Sequence, residues 1–307
     1  MRLGWVRGAC VAGGLFAGLF FLGQLAMLAV DSLPLWRHQS PADYLGGVQW
    51  FYRAELFGVL PMIYGTVVVA TVAILVAAPF GLGTALFTAE YLNASAGNRR
   101  RRDRWVVKSA VELLAGVPSV VYGLIGVLVL RDVVYRLAEP FDPLSGDTLL
   151  TAGLLLSVMI LPTVTTFADD ALAAVPADQR RAARALGLSR GQTIARIALP
   201  QALPGLAAAV LLALGRALGE TIAVFLVVGR LDNRWPEHPL SPAVLLEPGQ
   251  TLTSKLGGSE TFLAWGDPLH WAAMVSLGLV LLVLTLGITL IGRRFAGVPG
   301  RDQVSRP

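Results

Sequence analysis

Cysteine is all but absent from this chain. Cys10 stands alone, which excludes an intramolecular disulfide and any cysteine-built metal cage. Charge is nearly as scarce: Asp, Glu, Lys and Arg make up 15% of the 307 residues against 55% apolar ones, and the mean hydropathy is +0.64. A water-soluble domain of this size would spread more charge over its surface, so a soluble enzyme is a poor fit. No G-x-x-x-x-G-K-[ST] string occurs, and Gly81-Leu82-Gly83 lacks the third glycine of a dinucleotide loop, so ATP has no known phosphate cradle here. His38, His238 and His270 are scattered and form no H-E-x-x-H pair; each reads as a surface or interfacial residue. Catalytic residues, a metal and a cofactor are therefore not expected.

The chain has long uncharged runs instead, over Val11 to Val30, Leu56 to Ala89, Leu113 to Leu130, Thr148 to Ala168, Ile197 to Gly215 and Pro268 to Gly292. About 20 helical residues at about 1.5 Å each cross a hydrocarbon core of about 30 Å, and within lipid a helix satisfies its own backbone. These runs predict an all-α membrane protein of six transmembrane helices. The second run is longer than a crossing requires, so its first residues are expected along the outer surface. The fifth resumes after Arg216 and Glu220 and continues to Gly229. The first run admits a second reading as a cleaved signal peptide, since Arg2 and Arg7 precede it and Ala26 to Ala29 offers small residues. A signal core is typically about 7 to 15 residues, and this longer run fits a retained anchor better. The organisation expected is an anchor helix and outer loop over 1–55, a core of five spans over 56–292 and a cytoplasmic tail over 293–307.

Cytoplasmic loops of membrane proteins retain excess Lys and Arg. Of 25 such residues, 17 fall at the amino end, in Arg99 to Lys108, in Arg180 to Arg196 and in the tail from Arg293. Seven occupy the opposite loops and Arg216 lies within a span. Both termini are thus expected in the cytoplasm. The run Arg99-Arg100-Arg101-Arg102 reads as topology-setting charge beside lipid headgroups, and nucleic acid is not expected as a partner.

Two segments exceed what a bare helix bundle needs. Between spans four and five, Pro176 can begin a helix at Ala177 that runs through good helix formers to Leu186; Gly187 interrupts it, and Ser189 can cap a second helix running into Ile197. Such an elbow suits docking to a cytoplasmic partner; an amphipathic loop on lipid headgroups is the plainer alternative. In span five, Arg216 and Glu220 stand one helical turn apart, so they are expected on one face and able to pair. Each charge costs roughly 2.5 to 3.5 kcal/mol at a helix centre on insertion scales, so the two must face a bundle interior or a wet cavity. The alternatives are a structural ion pair and a substrate pathway, in which the arginine fork attracts an oxyanion. In the second, Glu220 holds the guanidinium when the pathway is empty or accepts a proton from hydrogen phosphate, which sulfate cannot offer. Gly215 and Gly219 form a small-xxx-small pair that would admit a neighbouring helix.

The elbow also resembles a family. Permeases of ABC importers carry a cytoplasmic signature of Glu-Ala-Ala, three residues, Gly, nine residues, then Ile-x-Leu-Pro. This chain has Ala182-Ala183, Gly187, Ile197, Leu199 and Pro200 in that spacing, with Arg181 where the family usually has Glu. The strings VELLAGVPSVVYGL at Val111 to Leu124, MILPT at Met159 to Thr163 and LGRALGETIAV at Leu214 to Val224 resemble the PstC-type permease of phosphate-specific ABC importers. Sulfate and molybdate permeases share the RALGE core. The resemblance implies a type I ABC importer permease fold in the cytoplasmic membrane. It implies a coupling helix that presents Ala182, Ala183, Arg184, Gly187 and Leu188 to an ATPase dimer, where ATP hydrolysis resides, so the chain itself is not an enzyme. A second, PstA-type permease subunit and a periplasmic phosphate-binding protein are the further partners implied. Permeases for other oxyanions, or a membrane sensor that moves nothing, remain alternatives.

Pro118, Pro162 and Pro204 are expected kinks. Glu112 is an interfacial residue or a partner for Arg104 or Lys108. Asp169-Asp170 is a solvated pair, and the outer loop Arg230 to Asp267 is exposed and irregular, a meeting place for a binding protein by resemblance.

Overall fold

The computed structural model describes residues 2–92 and 98–295; the side chains of Arg99 to Arg101 and most of the tail 293–307 lie outside the described residues. Helix α1, Arg2–His38, opens the chain. From Val6 to Val30 it packs against almost nothing, as a face meant for lipid or another chain would. Only its outer end is covered, where Leu35 is buried and Trp36 Nε1 donates to Ser32 Oγ at 3.0 Å. A short helix, α2 (Pro41–Gly46), and a hairpin of β1 (Trp50–Phe51) and β2 (Leu56–Phe57) follow, the turn placing Glu55 at a left-handed φ of 53°. The second apolar run thus begins in a strand, and its helix starts at Leu60, with Pro61 in the first turn, where a missing N–H costs nothing.

Helix α3, Leu60–Leu86, and α7, Leu149–Ala173, form the centre. They lie so close that a Cβ on Gly81 would stand 2.7 Å from a Val164 methyl, and one on Gly153 would stand 2.5 Å from Val72. Small residues allow backbones in lipid to approach, since lipid tails offer no hydrophobic drive of their own. Ala73, Ala77, Ala152 and Ala213 are fully buried in the same core. A second cluster joins Leu35, Tyr44, Trp50, Phe57 and Met62 to Leu252, Met274 and Leu277 at one end of the bundle, and a third gathers Ala85, Ala168, Leu172, Ala202 and Leu206 near the other.

The third apolar run is not a straight span. Helix α4, Asn98–Gly116, stops before Pro118, and α5, Ser119–Ile125, continues through a π-helical turn into α6, Arg131–Ala138, at an angle of 93° to α4. Pro118 has no N–H, and its ring disfavours a helical Val117; the Tyr122 hydroxyl donates to the Leu114 carbonyl at 2.8 Å across the bend. Among the described residues five helices are long and apolar enough to cross a membrane, and the bent pair counted as one span makes a sixth, in keeping with the six expected.

The elbow forms as the sequence indicates. Helix α8, Ala177–Ala185, ends at Gly187 with φ +86°, and a capping box between Ser189 and Gln192 starts α9, Arg190–Thr193. A π-helical turn leads into α10, Leu199–Gly219, with α11, Ile222–Val227, beyond it. Pro162 and Pro204 lie inside α7 and α10 without breaking them.

The outer loop departs from expectation. Instead of lying exposed, it turns back into the protein through α12, Leu252–Leu256, and α13, Glu260–Leu263, before α14, Pro268–Phe295, completes the chain. Leu252, Thr253, Ser254 and Lys255 are buried. Backbone there must find partners, and it does: Thr251 and Ser254 form a capping box, and Leu252 N–H donates to Thr66 Oγ1 at 3.0 Å. A Cβ on Gly65 would meet the Gln250 carbonyl at 2.1 Å, so glycine is what admits the segment.

Candidate functional site

Arg216 sits in the last turn of α10, exposed on the surface of the single chain. Its Nη1 donates to Thr163 Oγ1 of α7 at 3.3 Å. Tyr122 of α5 stands within Coulombic reach of the guanidinium. Two separate spans therefore meet at one permanent cation. Thr163 and Tyr122 lie at the ends of the strings that carry the family resemblance, yet nothing in their local pattern singles them out.

Glu220 is not where a continuous helix would put it. The helix ends at Gly219, and Glu220 takes an extended conformation with φ −73° and ψ 122°. Its Oε1 accepts the Ala223 N–H at 3.4 Å, turning the chain into α11. No ion pair joins Arg216 to Glu220 among the described residues, which corrects the expected pairing. Two glycines in the last turns lower the cost of leaving the helix, and the carboxylate satisfies one of the free N–H groups that start the next. Gly215 and Gly219 meet nothing within 4 Å, so any close packing they serve involves another chain.

The elbow between α7 and α10 has two faces. Ala183 is buried, while Ala182, Arg184 and Gly187 are exposed, Leu188 is half-buried and Leu186 is 82% exposed. Arg181 pairs with Asp178 at 3.3 Å in solvent. Asp169 is buried, contrary to the solvated reading: Lys108 Nζ lies 2.8 Å and Arg104 Nη2 3.7 Å from its Oδ2, and Thr88 donates to Oδ1 at 3.1 Å. Lys108 and Arg104 thus reach Asp169, and Glu112 is exposed.

The loop between α11 and α14 holds a network that sequence reasoning missed. Lys255 is only 2% exposed, pairs with Asp232 and Glu260, and lies 5.1 Å from the centroid of a Trp50 ring. Glu260 also accepts from Trp50 Nε1 and contacts His270 Nε2 at 2.9 Å. Burial pushes the Glu260 carboxyl up, and hydrogen bonds from Lys255, Trp50 and His270 outweigh it, leaving the carboxyl below its usual value. His270 is buried and stacked on Tyr52 at 4.8 Å, which corrects its reading as a surface residue.

Residues 81–297 match the family described as the binding-protein-dependent transport system inner membrane component. The chain is 35% identical over 267 residues to the phosphate transport system permease protein PstC of Mesorhizobium japonicum, covering 82% of this chain and 77% of that one. It is 38% identical over 256 residues to the probable ABC transporter permease protein YqgH of Bacillus subtilis, covering 83% and 77%. Among solved structures it resembles an inward-facing MetNI methionine ABC transporter, with a TM-score of 0.59, 18% identity and coverage of 78% of this chain and 94% of that one. It also resembles a bacterial alginate ABC transporter in complex with its alginate pentasaccharide-bound periplasmic protein, with a TM-score of 0.55, 16% identity and coverage of 95% and 94%.

Proposed function

The chain belongs to the family of binding-protein-dependent transport system inner membrane components, and from that premise we propose that it forms half of a membrane pathway for inorganic phosphate. It is a permease subunit of an ABC importer, a multi-pass inner membrane protein that works with an ATPase and a binding protein and has no catalytic activity of its own. Phosphate as cargo is supported by the names of its relatives and by the strings around Tyr122, Thr163 and Arg216.

The observation that carries the reading is the guanidinium of Arg216. A permanent cation in a span is retained against a cost of roughly 2.5 to 3.5 kcal/mol, and here it is exposed where two spans meet. A homologous PstA-type subunit set against this face would close the pathway, with Gly215 and Gly219 admitting its helix. The fork then offers charge-assisted donors to phosphate oxygens. Glu220, at the break, presents its carboxylate to the proton of hydrogen phosphate. In this reading both termini lie in the cytoplasm, and Ala182, Ala183, Arg184, Gly187 and Leu188 meet the ATPase dimer, with Leu186 projecting beside them. Alternating access opens the Arg216 face to one side at a time.

The test is reconstitution of the complete complex with a phosphate-binding protein in liposomes. Phosphate-stimulated ATP turnover with uptake, resisting competition by sulfate and molybdate, supports the reading. Equal competition makes this a general oxyanion permease, and turnover without uptake makes it a sensor.

A further inference from the structure

The inner end of span two is a π-helical segment, Phe87–Leu92, whose side chains reach α7, α8 and α9. Glu90 is 2% exposed there, and its Oε1 lies 3.1 Å from Arg180 Nη2 of α8. The same Nη2 donates to the carbonyl of Leu172, near the end of α7, at 2.5 Å. The neighbouring Tyr91 lies under the guanidinium of Arg190, 5.5 Å away, on the far side of the Gly187 bend. Thr88, in the same segment, donates to Asp169, which in turn holds Lys108 of α4. Consecutive residues of one turn thus grip both arms of the elbow. The third contact leads to the helix whose outer end bends at Pro118 toward Tyr122 and Arg216.

We propose that Glu90 is the positioning residue of the coupling segment: through Arg180 it fastens the helix that meets the ATPase to the inner end of span two, so that the two move together. This rests on the reading of α8 as the ATPase contact. Apolar packing is non-directional and lets surfaces slide past one another. A buried ion pair cannot part without stranding a charge, which suits a link that must carry displacement. Glu90 Oε1 and Arg180 Nε are both buried without a hydrogen-bond partner among the described residues, so the pair has donor and acceptor capacity for a second arrangement. A π-helical turn at this point is in keeping with function, since such turns recur at functional sites.

The experiment uses the assembled permease–ATPase complex in liposomes, with Leu212→Cys as a reporter one turn from Arg216 in a Cys10→Ser background. Its thiol labelling rate is compared without nucleotide and with ATP plus vanadate. The parent is expected to change rate by about tenfold, a common size for allosteric coupling, and Glu90→Gln to hold that change below about twofold while the ATPase still co-purifies. Arg180→Gln is expected to lose as much, and the double variant no more than either single, because both remove one link. A full response in Glu90→Gln overturns the proposal, as do loss of the ATPase from that variant, additive losses in the double variant or an unresponsive parent. Phosphate uptake by the parent vesicles is read separately: its failure sinks phosphate as cargo and leaves the nucleotide response standing.

Discussion

Arg216 and Thr163 meet across two membrane spans, Nη1 to Oγ1 at 3.3 Å, while the acid four residues beyond Arg216 serves the next helix instead. The guanidinium is thus tethered by one neutral hydroxyl, leaving most of its donors to a ligand.

Replacing Arg216 by Gln is expected to cut initial phosphate uptake by about 10- to 150-fold, since a hydrogen bond to a charged group contributes about 1.5 to 3 kcal/mol. Thr163→Val removes only the tether and leaves the guanidinium in place, so it should cost less, about fivefold, or about 1 kcal/mol. Uptake at the parent rate in Arg216→Gln would remove this residue from the pathway.

Glu220→Gln keeps an oxygen for the Ala223 N–H, so thermal unfolding of the complex should be unchanged. What changes is selectivity: without a carboxylate to take the proton of hydrogen phosphate, sulfate should become a stronger inhibitor of phosphate uptake. Competition assays across pH 6 to 8 read this out, and an unaltered sulfate effect would confine Glu220 to its capping role.

Lys255→Met leaves the carboxylates of Asp232 and Glu260 without their buried cation. Removing one partner of a buried pair costs about 3 to 5 kcal/mol, so the variant should unfold well below the parent temperature. The pH dependence has a definite sign. The Glu260 carboxyl is held below its usual value when folded, so its stabilisation is present above the ordinary carboxylate range and lost as pH falls through the folded value. The parent should lose stability toward acid more steeply than Lys255→Met, as measured by unfolding in detergent from pH 7 down to pH 4.

Two glycines separate folding from assembly. Gly65→Ala collides with the backbone carbonyl of Gln250 and should disrupt insertion of the outer segment, giving poor yield of the subunit itself. A Cβ at Gly215 meets nothing within 4 Å, so Gly215→Leu should leave the subunit folded, yet block co-purification of the second permease. Retention of that subunit would argue that this face meets lipid.

Membrane class, span number, the elbow at Gly187 and the family signature were all legible in the chain. Each depends on local quantities: the length of an uncharged run, a capping serine, a glycine stop, a fixed spacing. Proline was less informative. Pro118 ends a helix and turns the chain by 93°, whereas Pro162 and Pro204 sit inside unbroken ones. A ring removes one N–H in every case, and the surrounding packing decides whether the helix bends around it or stops.

Charge showed the same division more sharply. The sequence by itself determined that Arg216 must lie within a span, because hydropathy and spacing are properties of neighbours along the chain. Only the tertiary structure decided its partner, since Thr163 is 53 residues away and the helix ends before Glu220 can turn back. It also decided that Lys255 is buried, by bringing Asp232 from 23 residues away and a Glu260 that bonds Trp50 across 210. The free energy of a buried charge depends on which opposite charges and donors stand within a few ångströms, and folding, not adjacency in the chain, sets that distance.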